Sequence, residues 1–306
     1  MLPFSGDLHN HTAVSDGAYQ PSELIKQANQ LGIKAIGVTD HDTFDGLPEA
    51  ILTGNQIGIQ VVCGVEVTLC FKRPYFTGSL HVLVYFNETW LHDAEFTTMF
   101  KTILNQGRGK QLVLQRVTAI NEEFGPQGKQ PILKRQLYPE EVLSYSPNIT
   151  RKHFFQALSE HHGFTDRDQL NKIISNDSPA YIPSGIEMHL LSPFLKRYPV
   201  IAVLAHPAAG SFPGKSHYSE VLPPFDIVKQ LLPEFLNPSI LGIHGLEVYY
   251  PGHTDEHKQE LIEIAHTHDL IITGGSDCHD SINRPLGING VDTETLEQLL
   301  KKLLTT

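Results

Sequence analysis

Nine side chains able to bind a divalent cation recur in short, tightly spaced groups along this 306-residue chain. The first group is Asp7-Leu8-His9-Asn10-His11, with Asp16 five residues further on. Next come Thr39-Asp40-His41-Asp42, Gly64-Val65-Glu66 and Leu80-His81-Val82, then Ala205-His206-Pro207 and Ser276-Asp277-Cys278-His279. The candidate ligands are His9, His11, Asp16, His41, Glu66, His81, His206, Asp277 and His279, six imidazoles and three carboxylates. A mixed nitrogen and oxygen set suits Mn, Fe or Zn better than Mg or Ca, which prefer oxygen alone. One ion takes three or four protein ligands, so nine imply a cluster of two or three ions. Such clusters serve hydrolysis, because paired cations can bind both the attacking and the departing oxygen of a phosphoryl transfer.

Spacing sets these histidines apart from the rest of the 17 in the chain. Alternation along a strand turns His9 and His11 to one face, where both rings can grip one ion. His161, His162, His257, His266 and His268 fall on helical patterns with no acid at ligand spacing and read as solvated or packing residues. Asp7 and Asp40 stand where they can accept N–H bonds from ligating imidazoles. Gly274 and Gly275 allow close backbone approach ahead of Ser276, and Cys278 reads as a small core residue. Phosphate recognition asks for cations beyond the metals. Arg151 and His153 open a helical pattern, where guanidinium forks and free N–H groups suit phosphate oxygens. Arg108, between Gly107 and Gly109, and Arg284, between Asn283 and Pro285, are further candidates, whereas Arg116 and Arg135 read as solvated. His253, in the loop after Glu247-Val248-Tyr249-Tyr250, either protonates a leaving oxygen, touches substrate or is a plain loop imidazole.

Strand and helix patterns alternate through the segments that carry the ligands. Strands are expected at Gly6–Thr12, Ala35–Thr39, Ile59–Thr68, Ser79–Phe86, Val200–Ala205, His244–Tyr249 and Leu270–Gly275. Pro21 starts a helix whose apolar face is Leu24, Ile25, Ala28 and Leu31, with Gly32 closing it. Further helices are expected at Asp45–Ile57, Asp226–Leu236, Thr254–His268 and Thr293–Leu303. Between residues 90 and 195 the pattern is helical instead, at Asp93–Phe124, Pro139–Ser144, Thr150–His161 and Thr165–Ile174, with no ligand motif. That block reads as an insertion capping the site, and residues 1–89 with 196–306 read as the metal-binding barrel. The ligand motifs fall at the C-terminal ends of the strands, which converge on one face of a (β/α) barrel. His81 is the exception, standing nearer the start of its strand.

Charge narrows the partners. A formal net charge of −11 argues against a duplex-binding face, which needs clustered Lys and Arg. Small phosphorylated substrates remain compatible, because bound cations reverse the sign locally. Three cysteines without a C-x-x-C pattern, no signal-peptide pattern after Met1 and no apolar run of membrane-spanning length point to the cytoplasm. The oligomeric state is not legible.

Five segments together resemble a known family: Asp7–Gly17, Val38–Gly46, Gly64–Val67, Ala205–Pro207 and Gly274–His279. They are similar to the PHP (polymerase and histidinol phosphatase) family of the amidohydrolase superfamily. Leu246–Thr254 and Arg151-Lys152-His153 further resemble its stand-alone branch of 3′,5′-nucleoside bisphosphate phosphatases and 5′→3′ exoribonucleases. The resemblance implies an α/β fold, a distorted TIM-like (β/α)7 barrel, with a trinuclear site. It places His9, His11, Glu66 and Asp277 on one ion, and Glu66, His81 and His206 on a second with Glu66 bridging. Asp16, His41 and His279 take the third. Asp277, Glu66 and His206 become the catalytic candidates, Asp277 accepting a proton from a metal-activated water that attacks as hydroxide. Two departures bear on substrate. Lys152 stands where the branch often has Pro, and a second arginine after Arg108 is absent. The alternatives are a small-metabolite phosphatase of the histidinol phosphate kind, a non-catalytic PHP module attached to a polymerase, and an amidohydrolase acting on C–N bonds.

Overall fold

The computed structural model describes residues 2–145, 149, 151–213 and 222–305. The chain divides into two compact units, Met1–Leu104 with Ile186–Thr306, and Asn105–Gly185. Seven strands build one sheet in the first unit, in chain order: β1 Gly6–Asp7, β2 Ala35–Val38, β3 Gln60–Arg73, β4 Phe76–Phe86, β5 Ile201–Leu204, β6 Gly245–Tyr249 and β7 Ile271–Gly274. Neighbours run parallel except at β4, which is antiparallel to both β3 and β5. The two edges meet just past their strands. Leu8 N donates to Gly274 O (3.1 Å), Asp277 N to His9 O (2.8 Å) and His11 N to Cys278 O (3.0 Å), which nearly closes a barrel.

The period of two along each strand sorts side chains between the inside and the outside of this barrel. Val62 and Glu66 of β3, Leu83 and Tyr85 of β4, Val203 of β5 and Glu247 of β6 share one face. Cys63, Val65, Val67, Val82, Val84 and Leu204 turn the other way and pack with the flanking helices. The apolar part of the inner face is a cluster of Leu8, Val62, Leu83, Tyr85, Val203 and Ile271, sealed by Leu296, Leu299 and Leu303 of the helix Thr293–Thr305. The helix Pro21–Leu31 shows how local chemistry sets an element. Pro21 stands in its first turn, Gln20 N donates to Glu23 Oε2 (2.9 Å), and Gly32 ends it at φ 78°. Leu24, Ile25 and Ala28 are buried there, but Leu31 is exposed.

The helical block is bounded differently from its sequence pattern. The helices Ala94–Leu104 and Met188–Arg197 belong to the barrel unit, where Phe96, Phe100, Leu191 and Phe194 join its core. The second of these carries Pro193 in its interior, which masks its helical signal in the sequence. The expected helix over 93–124 is broken at Asn105–Arg108. A side chain at Gly107 would stand 2.3 Å from the carbonyl carbon of Gly185, and Gly109 adopts φ 53°. The Asn105–Gly185 unit has its own core of Val117, Ile120, Phe124, Leu137, Phe154, Leu158 and Ile173. Its helix Arg151–His162 follows Thr150, the expected start, which lies outside the described residues. No helix among the described residues is long and apolar enough to cross a membrane.

Candidate metal centre

The reversed direction of β4 resolves the exception of His81. Parallel strands bring their C-terminal ends to one mouth, and an antiparallel neighbour brings its earlier residues there. His81 pairs with Thr68 beyond Glu66, and Ala205 N donates to His81 O (3.0 Å). His41 continues β2 into a bridge with Glu66. His206 follows β5 with φ 30° and Asp277 follows β7 with φ 51°, a region that costs a non-glycine residue on the order of 1–3 kcal/mol. Backbone bonds hold both in place, His206 N to Glu247 Oε2 (2.8 Å) and Asp277 N to His9 O (2.8 Å). A Cβ on Gly275 would meet His9 N at 2.4 Å and one on Gly274 would meet Tyr249 Cβ at 2.4 Å, so both glycines serve close approach.

Glu66 lies at the centre of the set, fully buried, with its two oxygens divided between two sides. Oε1 is 2.9 Å from His81 Nδ1 and 2.9 Å from His206 Nε2. Oε2 is 3.1 Å from both His9 Nε2 and His11 Nε2, and 3.2 Å from His41 Nδ1. Asp277 Oδ1 faces His11 Nε2 (3.1 Å), His279 Nδ1 (3.4 Å) and His9 Nε2 (3.6 Å). Asp16, with half its side chain exposed, reaches His279 Nε2 (3.2 Å), His11 Nδ1 (3.7 Å) and His41 Nε2 (3.9 Å). Among the described residues, three sets of donor atoms lie close enough to hold an ion each: His9, His11, Glu66 and Asp277; His41, Glu66 and His81; and His11, Asp16, His41 and His279. His206 adjoins the second set, its Nε2 3.3 Å from His81 Nδ1.

These donors fit cations. His9 Nε2 and His11 Nε2 face each other at 3.2 Å while both face the same carboxylate oxygen. A cation held among them would satisfy both nitrogens and the carboxylate oxygen at once. His11 Nδ1, Glu66 Oε2 and His279 Nε2 are buried without a hydrogen-bond partner among the described residues, which is costly unless something binds them. Burial works against charge on Glu66, yet His9, His41 and His81 outweigh it and hold the carboxyl well below its ordinary range. Asp277 is likewise held low against burial, by His9, His11, His279 and Arg284. His11 is raised to about 9 because its carboxylate neighbours Asp277 and Glu66 overcome burial.

Other expected residues sit elsewhere. Asp7 bonds to no imidazole among the described residues. Its carboxylate accepts from Ser276 N (2.8 Å), Ser276 Oγ (2.6 Å), Asn10 Nδ2 (3.0 Å) and Gly287 N (3.1 Å), fixing the loop that carries Asp277. Burial raises it to about 6 despite those bonds. Asp40 instead accepts from Thr12 N, Thr12 Oγ1 (both 2.7 Å) and Ser15 Oγ (2.6 Å), ordering the loop before Asp16. Cys278 is buried in the core, its thiol pushed up to about 12 by burial. His253 spends both ring nitrogens on backbone, Nδ1 donating to Val248 O (2.9 Å) and Nε2 accepting from Ala208 N (3.2 Å). Burial lowers it to about 3, and its two bonds tie β6 to the loop after His206.

Arg284 is half-buried and its Nη1 donates to Asp277 Oδ2 (2.9 Å), where Tyr250 OH also lies at 3.4 Å. Arg108, Arg151 and His153 belong to the Asn105–Gly185 unit. Within it Arg151 is exposed and donates to Asn176 Oδ1, the His153 ring stacks beside Tyr145 (6.4 Å between centroids), and Arg108 precedes the helix Gly109–Phe124. Sequence reasoning missed Glu247 and Tyr250. Glu247 is buried on β6, and its only signal was an acid amid the apolar residues of a strand.

The family model described as PHP domain matches residues 7–176, more than half of the chain. The chain is 25% identical to a phosphoribosyl 1,2-cyclic phosphate 1,2-diphosphodiesterase of Eggerthella lenta, over 91% of this chain and 95% of the relative. It is 25% identical to a 5′–3′ exoribonuclease of Haemophilus influenzae, over 89% of each chain. A 3′,5′-nucleoside bisphosphate phosphatase of Chromobacterium violaceum is 26% identical, over 89% of this chain and 86% of its own. Among solved structures, one from Bifidobacterium adolescentis, described by class as a metal-dependent phosphoesterase, superposes with a TM-score of 0.63 at 25% identity, covering 99% of this chain and 98% of that one.

Proposed function

The chain belongs to the PHP-domain family and is a metal-dependent phosphoesterase, and on that premise we propose that it removes phosphate from nucleotides or from the ends of short oligonucleotides. The observation that carries this reading is the division of Glu66 between two sets of imidazoles, with Oε1 toward His81 and His206 and Oε2 toward His9, His11 and His41. A carboxylate so placed can bridge two cations. When bound, Mn, Fe or Zn ions supply Lewis acidity, neutralising phosphate charge and lowering the pKa of water.

The residues present would hold three ions. His9, His11, Glu66 and Asp277 take the first, Glu66, His81 and His206 the second, and Asp16, His41 and His279 the third. Asp277 would accept the proton given up by the attacking water. Its Oδ1 faces the imidazoles while Oδ2 is held by Arg284, so the carboxylate has one oxygen directed at the centre and one anchored. Arg108, Arg151 and His153 are candidates, by residue type, for holding a substrate phosphate that is not cleaved. The names of the exoribonuclease and bisphosphate phosphatase relatives support nucleotide substrates. The cytoplasm is the proposed compartment, supported by three cysteines that are all unpaired.

One further reading has a specific observation behind it. The Eggerthella lenta relative is named for a cyclic phosphate diesterase activity, so a small cyclic phosphodiester is the second substrate class. The test, after metal analysis, follows phosphate release from nucleotides with 3′, 5′ and both phosphates and from histidinol phosphate, and follows by chromatography the monoester products of short oligonucleotides and of a ribose cyclic phosphate. Turnover highest on the bisphosphate or oligonucleotides, abolished by chelation and restored by Mn²⁺, is expected. Full activity in metal-stripped protein would defeat the reading, and preference for the cyclic ester would replace it with the second.

A further inference from the structure

Glu247 is a completely buried acid that the proposed chemistry does not use as a ligand. Its two oxygens reach two of the proposed ligand residues. Oε1 accepts from His9 Nδ1 at 3.0 Å, and Oε2 accepts from the His206 backbone N–H at 2.8 Å while lying 3.2 Å from the same His9 nitrogen. A carboxylate offers no proton, so His9 carries its own on Nδ1 and turns the Nε2 lone pair toward Glu66 Oε2 (3.1 Å). The second bond falls on a residue with φ 30°, where an L side chain rarely rests, and from there the His206 ring reaches Glu66 Oε1 at 2.9 Å. The β6–β7 register shifts between Glu247 and Tyr249, an irregularity of the kind that re-aims a side chain.

The geometry points to Glu247 as a positioning residue that couples the first two ion sites through one carboxylate. His9 belongs with His11, Glu66 and Asp277, whereas His206 stands with His81 on the other oxygen of Glu66. The third group shares His11 with the first, but among the described residues its own Asp16, His41 and His279 make no hydrogen bond to Glu247. His279 Nδ1 donates to Asp277 O (2.9 Å), and Ala18 N donates to His279 O (2.6 Å). Replacing the Glu247 carboxylate, which holds His9 with one oxygen and His206 with the other, therefore weakens two ions together and spares the third. This inference rests on the metal-centre reading above.

The test is calorimetric titration of Mn²⁺ into metal-stripped wild type and Glu247→Gln, a near-isosteric change that keeps one acceptor oxygen. Two binding steps should weaken by about 10–100-fold, the range for lost outer partners of ligating imidazoles, with the remaining step unchanged. Unchanged affinities, or equal weakening of every step, would overturn the coupling. A second measurement does not depend on the variant's folding. In zinc-loaded wild type, ¹⁵N spectra should show His9 as the Nδ1–H tautomer, and an Nε2–H ring would overturn the assignment. Wild type that takes up no divalent ion defeats the metal-centre reading as well, whereas ion uptake with an indifferent variant defeats the coupling alone.

Discussion

Replacing Arg284 with Ala separates two roles that the sequence left open, a clamp on substrate and a support for Asp277. The structure favours support, since Arg284 Nη1 lies 2.9 Å from Asp277 Oδ2 and the carboxylate is buried. A hydrogen bond to an ionised partner contributes roughly 1.5–3 kcal/mol. The Tyr250 hydroxyl at 3.4 Å remains on the same oxygen in the variant, and the guanidinium is partly solvated, so the lower part of that range applies. About 1.5–2 kcal/mol corresponds to a loss of about 10–30-fold in kcat/KM. The assay compares a 3′,5′-nucleoside bisphosphate with p-nitrophenyl phosphate and records metal content for each preparation. If Arg284 acts on Asp277, kcat falls on both substrates by a similar factor. Arg284→Lys, which keeps one charged donor but not the planar fork, should recover part of it. A raised KM confined to the bisphosphate, with p-nitrophenyl phosphate turned over normally, would refute this reasoning and make Arg284 a substrate ligand.

Glu66→Gln removes the negative charge shared between the two imidazole sets, so both ion occupancy and turnover should be lost. Near-normal rate with full occupancy by elemental analysis would show that Glu66 does not bridge. Arg151→Ala should lower kcat/KM by about 10–100-fold on substrates bearing a second phosphate and far less on a simple monoester, at unchanged metal content. Equal loss on both would reduce Arg151 to a structural role. Glu141 tests acid stability in the Asn105–Gly185 unit. Burial opposes its charge, but bonds from Arg135, Tyr138 N and His162 lower its carboxyl to about 2 from 4.5. A depressed acid stabilises the fold above its unfolded value and loses that contribution as pH falls through the folded one. The melting-temperature gap between wild type and Glu141→Gln should thus be full at pH 6 and shrink between about 4.5 and 2. A gap that does not change with pH would contradict the ion pair.

Short motifs were legible because ligand chemistry demands particular residue types a few positions apart, as in His9-Asn10-His11 or Ser276-Asp277-Cys278-His279. The barrel was legible because its strands carry apolar runs that end at those motifs. The contacts of Glu247, Asp7 and Arg284 were not legible to the same degree. His9 and Glu247 are separated by 238 positions, and Ser276 and Asp7 by 269, so only barrel closure makes them neighbours. Asp7 and Asp40 were misassigned because a strand-end acid has two kinds of donor within reach, an imidazole or a loop N–H. Register decides between them. His81 stood out of pattern only while β4 was assumed parallel, and its four preceding neighbours, Thr77–Leu80, lie within the same strand. Helix 188–197 went unseen because an internal proline imitates a breaker.

The reversed β4 also gives the centre an order of assembly. Glu66 and His81 sit on one hairpin, with Lys72 paired to Thr77 near its turn, so their approach closes a short loop at small entropic cost. His9 and Asp277 meet only when the first and last strands join, a pairing of very high contact order that forms slowly. During synthesis, the emerging chain can therefore present Glu66 with His81, and later His206, as a partial chelate long before Asp277 and His279 leave the ribosome. Barrel closure is therefore the event that brings the His9 and Asp277 side of the centre up to the Glu66 and His81 side.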